Sequence, residues 1–147
     1  MNILVSACLL GVRVRYDGAS KPHEDVVRLM TRHSLIPVCA EVYGGLPTPR
    51  VPAERVGERV VTKDGRDVTA EYVRGAEEIV RLAEMYGCTL AILKERSPSC
   101  GRGRIYDGTH TGTLTDGNGV LAERLMQAGV RVVGESEIAE MIARGEL

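Results

Sequence analysis

Hydrophobic and polar positions alternate along the chain with two periods, one typical of strands and the other of helices. Short apolar runs predict four buried strands, at residues 2–6, 35–38, 89–93 and 130–133. Longer segments with an apolar residue at every third or fourth position predict helices at about residues 22–33, 70–86, 119–128 and 136–144. Gly87 and Gly129 follow two of these helices, at the place where glycine favours helix termination.

The order of these elements predicts the fold class. Strands and helices alternate, and a small β-hairpin insertion with Asp64 and Gly65 at its turn is expected between Val60 and Val68. This order predicts a single α/β domain over residues 1–147, with an open, mostly parallel, Rossmann-like sheet flanked by helices. Pro37 within the second strand indicates an edge position.

Two long segments are predicted as loops. Residues 39–56 are rich in Gly and Pro, and residues 94–117 are rich in Gly and Thr. Long loops in compact domains are commonly functional. Ligands of open parallel sheets bind just beyond the carboxyl ends of the strands, and both predicted loops begin there.

Composition and charge exclude several classes of function. The 19 basic and 20 acidic residues give a formal net charge of −1, so no strong field draws the chain to nucleic acid or to an anionic membrane. The absence of Trp and Phe argues against binding of single-stranded nucleic acid, which uses aromatic stacking. The apolar start, residues 1–5, is too short for a signal peptide or a membrane span, so a cytoplasmic location is expected.

Three of the four cysteines are expected to meet at one edge of the sheet. Cys8 and Cys39 each follow a predicted strand closely, and Cys100 lies in the loop after the third strand. Parallel strands end at the same edge, which brings these positions together. Cys88 directly precedes the third strand, so it is expected at the opposite edge as a small buried residue.

Three thiolates without a fourth protein ligand are compatible with two kinds of metal centre. One is zinc with an open coordination position, and the other is a 4Fe–4S cluster in which one iron is not bound by the protein. The chain has no CxxC spacing and no ferredoxin spacing. The spacing of the cysteines therefore leaves both centres open.

Several ordered blocks of the sequence resemble a bacterial protein family. The blocks are SACLLG at 6–11, PVCAE at 37–41, GGLPTPR at 44–50, SPSCG at 97–101 and IYDGT at 105–109. This pattern is similar to that of the thiouracil desulfidases, whose family was long described as a domain of unknown function. Ala40 stands where the second block of the family usually has proline.

The resemblance implies a cofactor, a reaction and a partner. It implies a 4Fe–4S cluster on Cys8, Cys39 and Cys100, and the conversion of thiouracil, or another thiolated nucleobase, to uracil and hydrogen sulfide. A thiocarbonyl sulfur is soft and suits the open iron of such a cluster. The expected partner is a small-molecule thiolated nucleobase or nucleotide. No membrane and no stable nucleic-acid binding are expected, and the chain is expected to be a monomer or a weak homodimer.

Three polar residues beside the cysteines are candidates for catalysis. Glu41, two residues after Cys39, is placed to shuttle protons, with a solvated loop glutamate as the alternative. Ser97 and Ser99 are placed to orient water or to donate to a ring oxygen, and turn formation is their alternative role. The loop around Cys100 also carries basic residues that either screen the cluster, attract a phosphate or form a solvated rim: Lys94, Arg96, Arg102 and Arg104.

Two other functions remain open from the residues. One is a non-catalytic zinc or iron–sulfur module that stabilises the fold or senses oxidation. The other is sulfur transfer to a tRNA base, which the near-neutral net charge disfavours. An open coordination position next to Glu41 favours the enzyme, because a structural metal site normally has four protein ligands.

Overall fold

The computed structural model describes all 147 residues. The eight strands are Asn2–Ser6 (β1), Ser34–Val38 (β2), Ala53–Val56 (β3), Arg59–Thr62 (β4), Leu90–Leu93 (β5), Arg104–Tyr106 (β6), Leu114–Asp116 (β7) and Arg131–Gly134 (β8). The five α-helices are Glu24–Arg28 (α1), Ala40–Tyr43 (α2), Thr69–Tyr86 (α3), Val120–Gln127 (α4) and Ile138–Ala143 (α5). Short 3-10 turns occupy Ala7–Leu10, Leu29–Thr31 and Glu135–Glu137.

Four of the strands form one parallel sheet in the order β2-β1-β5-β8. The predicted parallel α/β fold is therefore confirmed. β2 lies at an edge of this sheet, where Pro37 costs no sheet hydrogen bond on the open side. The chain runs from β1 to β2 on one side and returns to β5 on the other, so the topological switch point lies between β1 and β5.

Helices cover both faces of the sheet, which agrees with the burial of the central strands on both sides. Ile3 and Val5 of β1 pack in a core cluster with residues of α1 and α5. Leu4, between them, packs in the opposite cluster with residues of α3 and α4. None of the helices combines the length and the apolar character that crossing a bilayer requires.

The backbones of α2 and α3 touch directly. A Cβ atom added to Gly75 would lie 1.8 Å from the carbonyl oxygen of Ala40, and one added to Gly44 would lie 1.9 Å from that of Glu71. Glycine is therefore required at both positions for the helices to approach this closely. Because α2 begins directly after Cys39, this contact fixes the position of that cysteine against the longest helix.

The segments predicted as loops contain secondary structure. Residues 39–56 include α2 and β3, and residues 94–117 include the antiparallel pair β6–β7. These elements have only three or four residues and are partly exposed, so no apolar run marks them in the sequence.

The predicted hairpin is present but displaced along the chain. β3 pairs with β4 through a two-residue turn whose first residue, Gly57, has a φ of 60°. The predicted turn at Asp64 and Gly65 also forms. The segments on its two sides are joined by the single antiparallel bridge between Val61 and Asp67 and do not form a hairpin of two strands. The helix predicted over 22–33 is shorter and ends in a 3-10 turn, and the last helix likewise begins with one.

Candidate active site

The candidate site lies beyond the carboxyl ends of three neighbouring strands, β2, β1 and β5. Cys8 lies in the 3-10 turn after β1, Cys39 directly follows β2, and Cys100 lies in the turn after β5. All three line one cavity of about 510 Å³, and small-molecule sites commonly measure about 300–1,000 Å³. The cavity therefore occupies the switch point of the sheet, and Glu41, Ser97 and Ser99 line it as well.

Cys88 does not line this cavity. It lies before β5, at the amino end of a strand whose carboxyl end leads to Cys100. Its side chain is buried in the core cluster with residues of α3 and α4. The structure thus brings three of the four cysteines together and separates the fourth from them by a strand.

Burial keeps the three cavity thiols protonated in the absence of metal. Desolvation, and next the neighbouring Cys39, raise the pKa of Cys8 to about 11. Desolvation raises the pKa of Cys100 to about 12, although the hydrogen bond from Ser6 opposes the shift. Burial also raises the pKa of Cys39, against backbone N–H groups at the start of α2. A metal group held by these cysteines would bind them as thiolates, so its binding would release their protons and bring in compensating positive charge.

The carboxylate of Glu41 is held at both oxygens. Arg50 donates through Nε to Oε1 over 3.0 Å, and Ser99 donates through Oγ to Oε2 over 3.0 Å. The buried phenol of Tyr72 lies nearby, and burial, followed by the charge of Glu41, raises its pKa well above the usual value. Arg50 and Ser99 therefore hold the Glu41 side chain in one orientation, and Tyr72 keeps its proton.

Ser97 and Ser99 form a chain of hydroxyl groups that ends at Glu41. Ser97 Oγ accepts the backbone N–H groups of Ser99 at 3.1 Å and Cys100 at 3.0 Å, which uses both of its lone pairs. Ser97 therefore donates its single hydroxyl proton to Ser99 Oγ, which lies 2.9 Å away. Since Ser99 donates to Glu41, its oxygen keeps one free lone pair.

Arg50 fixes Glu41 in place, and sequence reasoning missed it. Its side chain is 4% exposed, and besides Glu41 it donates to the carbonyl oxygens of Val14 over 2.8 Å and Pro47 over 3.1 Å. It thereby ties the loop after β1 to the loop after α2. The available signal was its place at the end of GGLPTPR, one of the segments that carry the family resemblance.

Ser6 is a second residue that sequence reasoning missed. This buried residue ends β1, and its hydroxyl donates to Cys100 Sγ over 3.3 Å. It also accepts the backbone N–H of Lys94 over 2.9 Å. A serine at the end of an apolar strand, two residues before Cys8, was the available signal.

Cationic side chains without a carboxylate partner surround the cavity. They are Arg15, Lys21, Lys63 and Arg96. Lys94 also lines the cavity but pairs with Glu135 at 2.8 Å. Arg102 and Arg104 pair with carboxylates and do not line the cavity. In all, six cationic side chains and three carboxylates line the cavity, so its lining has a net positive formal charge although the whole chain is nearly neutral.

The cavity thiols do not form a site for a single ion. No three His, Cys, Asp or Glu side chains are arranged to hold one metal ion. Thiolates on one tetrahedral zinc stand about 3.8 Å apart, as follows from a Zn–S distance of about 2.3 Å. The geometry therefore gives no support to the zinc alternative.

Comparisons with known proteins agree with the motif resemblance. The family model described as 2-thiouracil desulfurase matches residues 3–137. The uncharacterized protein YbbK of Bacillus subtilis (strain 168) is 40% identical over 150 aligned positions, which cover 95% of this chain and 99% of the relative. The solved structure of the [4Fe-4S]-dependent thiouracil desulfidase TudS has 47% sequence identity and a TM-score of 0.88, over 99% of both chains. This chain belongs to the 2-thiouracil desulfurase family.

Proposed function

We propose that this chain is an iron–sulfur desulfidase that converts a thiolated uracil and water into uracil and hydrogen sulfide. The observation that carries the proposal is the arrangement of three buried thiols around one cavity, next to the hydroxyl chain that ends at Glu41. The similarity to a protein named [4Fe-4S]-dependent thiouracil desulfidase supports the same chemistry.

Cys8, Cys39 and Cys100 would hold a 4Fe–4S cluster. Cysteine thiolates are the usual ligands of such clusters, and three of them leave one iron without a protein ligand. The iron charge would offset the cost of three thiolates at a site where burial favours neutral thiols. When bound, the cluster supplies a soft Lewis-acidic iron for the sulfur of the thiocarbonyl group.

The reaction requires movement of protons and no net transfer of electrons. Water supplies the oxygen of the new carbonyl group, and both of its protons leave with the sulfur as hydrogen sulfide. Glu41 takes a proton from the attacking water and later returns it to the leaving sulfur. Because the hydroxyl of Ser99 already donates to Glu41 Oε2, we assign Ser99 as the group through which this proton passes.

The two serines have different roles in this scheme. Ser99 has a free lone pair with which to hold a water, and its proton already points to Glu41. Ser97 accepts two backbone N–H groups of its own turn, so it shapes the loop and orients Ser99. Ser99 is therefore the catalytic hydroxyl, and Ser97 is a positioning residue.

The unpaired cations favour a substrate that carries an anionic group. A free thiouracil offers no strong partner for four cationic side chains, whereas the phosphate of a thiolated nucleotide does. We therefore propose a higher kcat/KM for the nucleotide than for the free base. The reducing conditions of the cytoplasm, the location we propose for this chain, would preserve both the thiols and the cluster.

The test starts with anaerobic purification and reconstitution with iron and sulfide. Iron and sulfide content establish the cluster, and hydrogen sulfide release is then measured with 2- and 4-thiouracil and with their nucleoside monophosphates. Sulfide release by the loaded protein, and none by the metal-free protein, is the expected result. A loaded protein that releases no sulfide from any of these compounds would refute the proposed activity.

A further inference from the structure

The three cavity cysteines differ in the hydrogen bonds that their sulfur atoms accept. Cys100 Sγ accepts the Ser6 hydroxyl over 3.3 Å, with the Ser99 hydroxyl farther away at 3.6 Å. The sulfur of Cys39 meets only backbone N–H groups at the start of α2. No side chain donates to Cys8. Among the three cysteines, Cys100 is therefore the one whose sulfur lies within reach of side-chain hydroxyls.

The single proton of the Ser6 hydroxyl is committed to Cys100. Ser6 is buried at the end of β1, and its oxygen already accepts the backbone N–H of Lys94 over 2.9 Å. Cys100 Sγ is the acceptor that remains for the proton. The proton of Ser99 points instead to Glu41, at the shorter distance of 3.0 Å. Ser6 is thus the hydroxyl dedicated to the Cys100 sulfur.

The backbone keeps this hydroxyl in place from two adjacent strands. Ser6 belongs to β1, Lys94 directly follows β5, and these strands pair in parallel register. The bond between them therefore persists as long as the centre of the sheet does. A hydroxyl held in this way orients its proton without a loss of side-chain entropy when the site is loaded.

We propose that Ser6 is a tuning residue, whose hydroxyl donates to the Cys100 thiolate and raises the reduction potential of the cluster held there. The inference rests on the proposed cluster, and it goes beyond the desulfuration reaction, which transfers no electrons. A hydrogen bond to a ligand sulfur stabilises the extra negative charge of the reduced state more than the oxidised state. A higher potential makes the cluster harder to oxidise, so Ser6 would protect the cluster from oxidative loss of iron.

The test compares Ser6→Ala with the wild-type protein, both reconstituted without oxygen. The midpoint potential is measured by spectroelectrochemical titration, and loss of iron is followed after exposure to air. We expect equal iron content at the start, a more negative midpoint for Ser6→Ala and faster loss of iron in air. Ser6→Thr keeps the hydroxyl and should keep the midpoint, whereas Ser99→Ala should shift it less than Ser6→Ala does.

An unchanged midpoint in a fully loaded Ser6→Ala protein overturns the inference. If Ser6→Ala does not fold, Ser99→Ala is used to test the inference. In that variant the hydroxyl of Ser6 is the one that remains near Cys100 Sγ. The Fe–S stretching bands of that protein should shift between water and D₂O, and unchanged bands overturn the inference. A wild-type protein that holds a cluster but releases no sulfide refutes the proposed activity and leaves this test intact. A wild-type protein that binds no iron refutes both.

Discussion

Ser99 donates a hydrogen bond to Glu41 Oε2 over 3.0 Å, although 58 positions separate the two residues in the chain. The bond joins the turn after β5 to the short helix after β2, and these two strands flank β1 in the sheet. Each partner is within two residues of a cavity cysteine, Cys100 for Ser99 and Cys39 for Glu41. The proposed proton path and the proposed cluster site are therefore built from the same two segments.

This relationship predicts that Glu41→Gln separates chemistry from assembly. The amide has nearly the shape of the carboxylate but accepts no proton at neutral pH. General acid–base groups contribute a factor of about 10²–10⁴ in rate, so kcat should fall by about that factor. Iron content and the absorbance change on binding of thiouracil should stay at wild-type values in the same preparations.

The control for this experiment is Cys39→Ser, which removes a proposed ligand two residues away. It should lose the cluster, and with it both the absorbance change and the activity. If Glu41→Gln turned over like the wild type, Glu41 would have no part in proton transfer. If it lost iron as Cys39→Ser does, its role would be to build the site.

The positions of the cysteines predict unequal effects of two conservative substitutions. Cys100→Ser should lose most of the bound iron and all activity, because a serine hydroxyl is a poor replacement for a thiolate ligand. Cys88→Ser should keep iron and activity, since Cys88 does not line the cavity. Cys88→Ser should lower the free energy of unfolding, because it places a hydroxyl in a buried apolar cluster. Iron assay, sulfide release and a urea titration on both variants would check this.

The sheet and its cysteine edge could be predicted because their signals are local. β1 and β5 are nearly continuous apolar runs, and the parallel order of the strands decides at which end Cys8 and Cys100 lie. The periodic pattern of α3 likewise predicts a helix over residues 70–86, and the observed helix begins one residue earlier, at Thr69. Each of these predictions depends on a few neighbouring positions, which a single sequence contains.

Contacts between distant segments could not be predicted in this way. Arg50 is nearly fully buried because its partners come from the loops after β1 and α2, and a charged residue between prolines otherwise indicates solvent exposure. Ser6 donates to a sulfur 94 positions away. The short strands β6 and β7 have no apolar run and depend on pairing with each other. Polar networks of this kind are visible only once the fold brings their members together.

The hydrogen bonds of Asp67 predict that part of the stability of the fold is lost at acidic pH. It accepts the backbone N–H of Thr69 over 2.9 Å and pairs with Arg59 at 3.1 Å, at the start of α3. Hydrogen bonds from Thr69, and next the bond from Arg59, lower the pKa of Asp67 to about 2. Its folded pKa lies below that of the unfolded chain, so its stabilising effect is present above about pH 4. The effect is lost as the pH falls to about 2.

The measurement is the urea midpoint of wild type and Asp67→Asn at pH 7, 4 and 2. The asparagine still accepts a hydrogen bond but carries no charge, so the two midpoints should differ at pH 7 and converge near pH 2. Asp107 offers a second case, because hydrogen bonds from Thr109 lower its pKa in the same way. A midpoint difference for Asp67→Asn that does not change with pH would contradict this assignment.

The contact between α2 and α3 predicts that one methyl group at Gly75 disturbs the site from a distance. The added Cβ would lie 1.8 Å from the carbonyl oxygen of Ala40, a backbone atom that cannot turn aside as a side chain can. Overpacking commonly costs about 1–3 kcal/mol, and a clash with backbone should cost at least the upper value. Gly75→Ala would therefore lower the free energy of unfolding and push α2 outward, together with Cys39 before it and Glu41 within it.

A urea titration of Gly75→Ala should show the loss of stability, and reconstitution should give less iron per chain than in the wild type. Glu84→Ala, on the exposed part of the same helix, is the matched control and should change neither quantity. Full stability and full iron content in Gly75→Ala would show that α2 moves freely on α3, and that the cysteine edge is held by the strands alone.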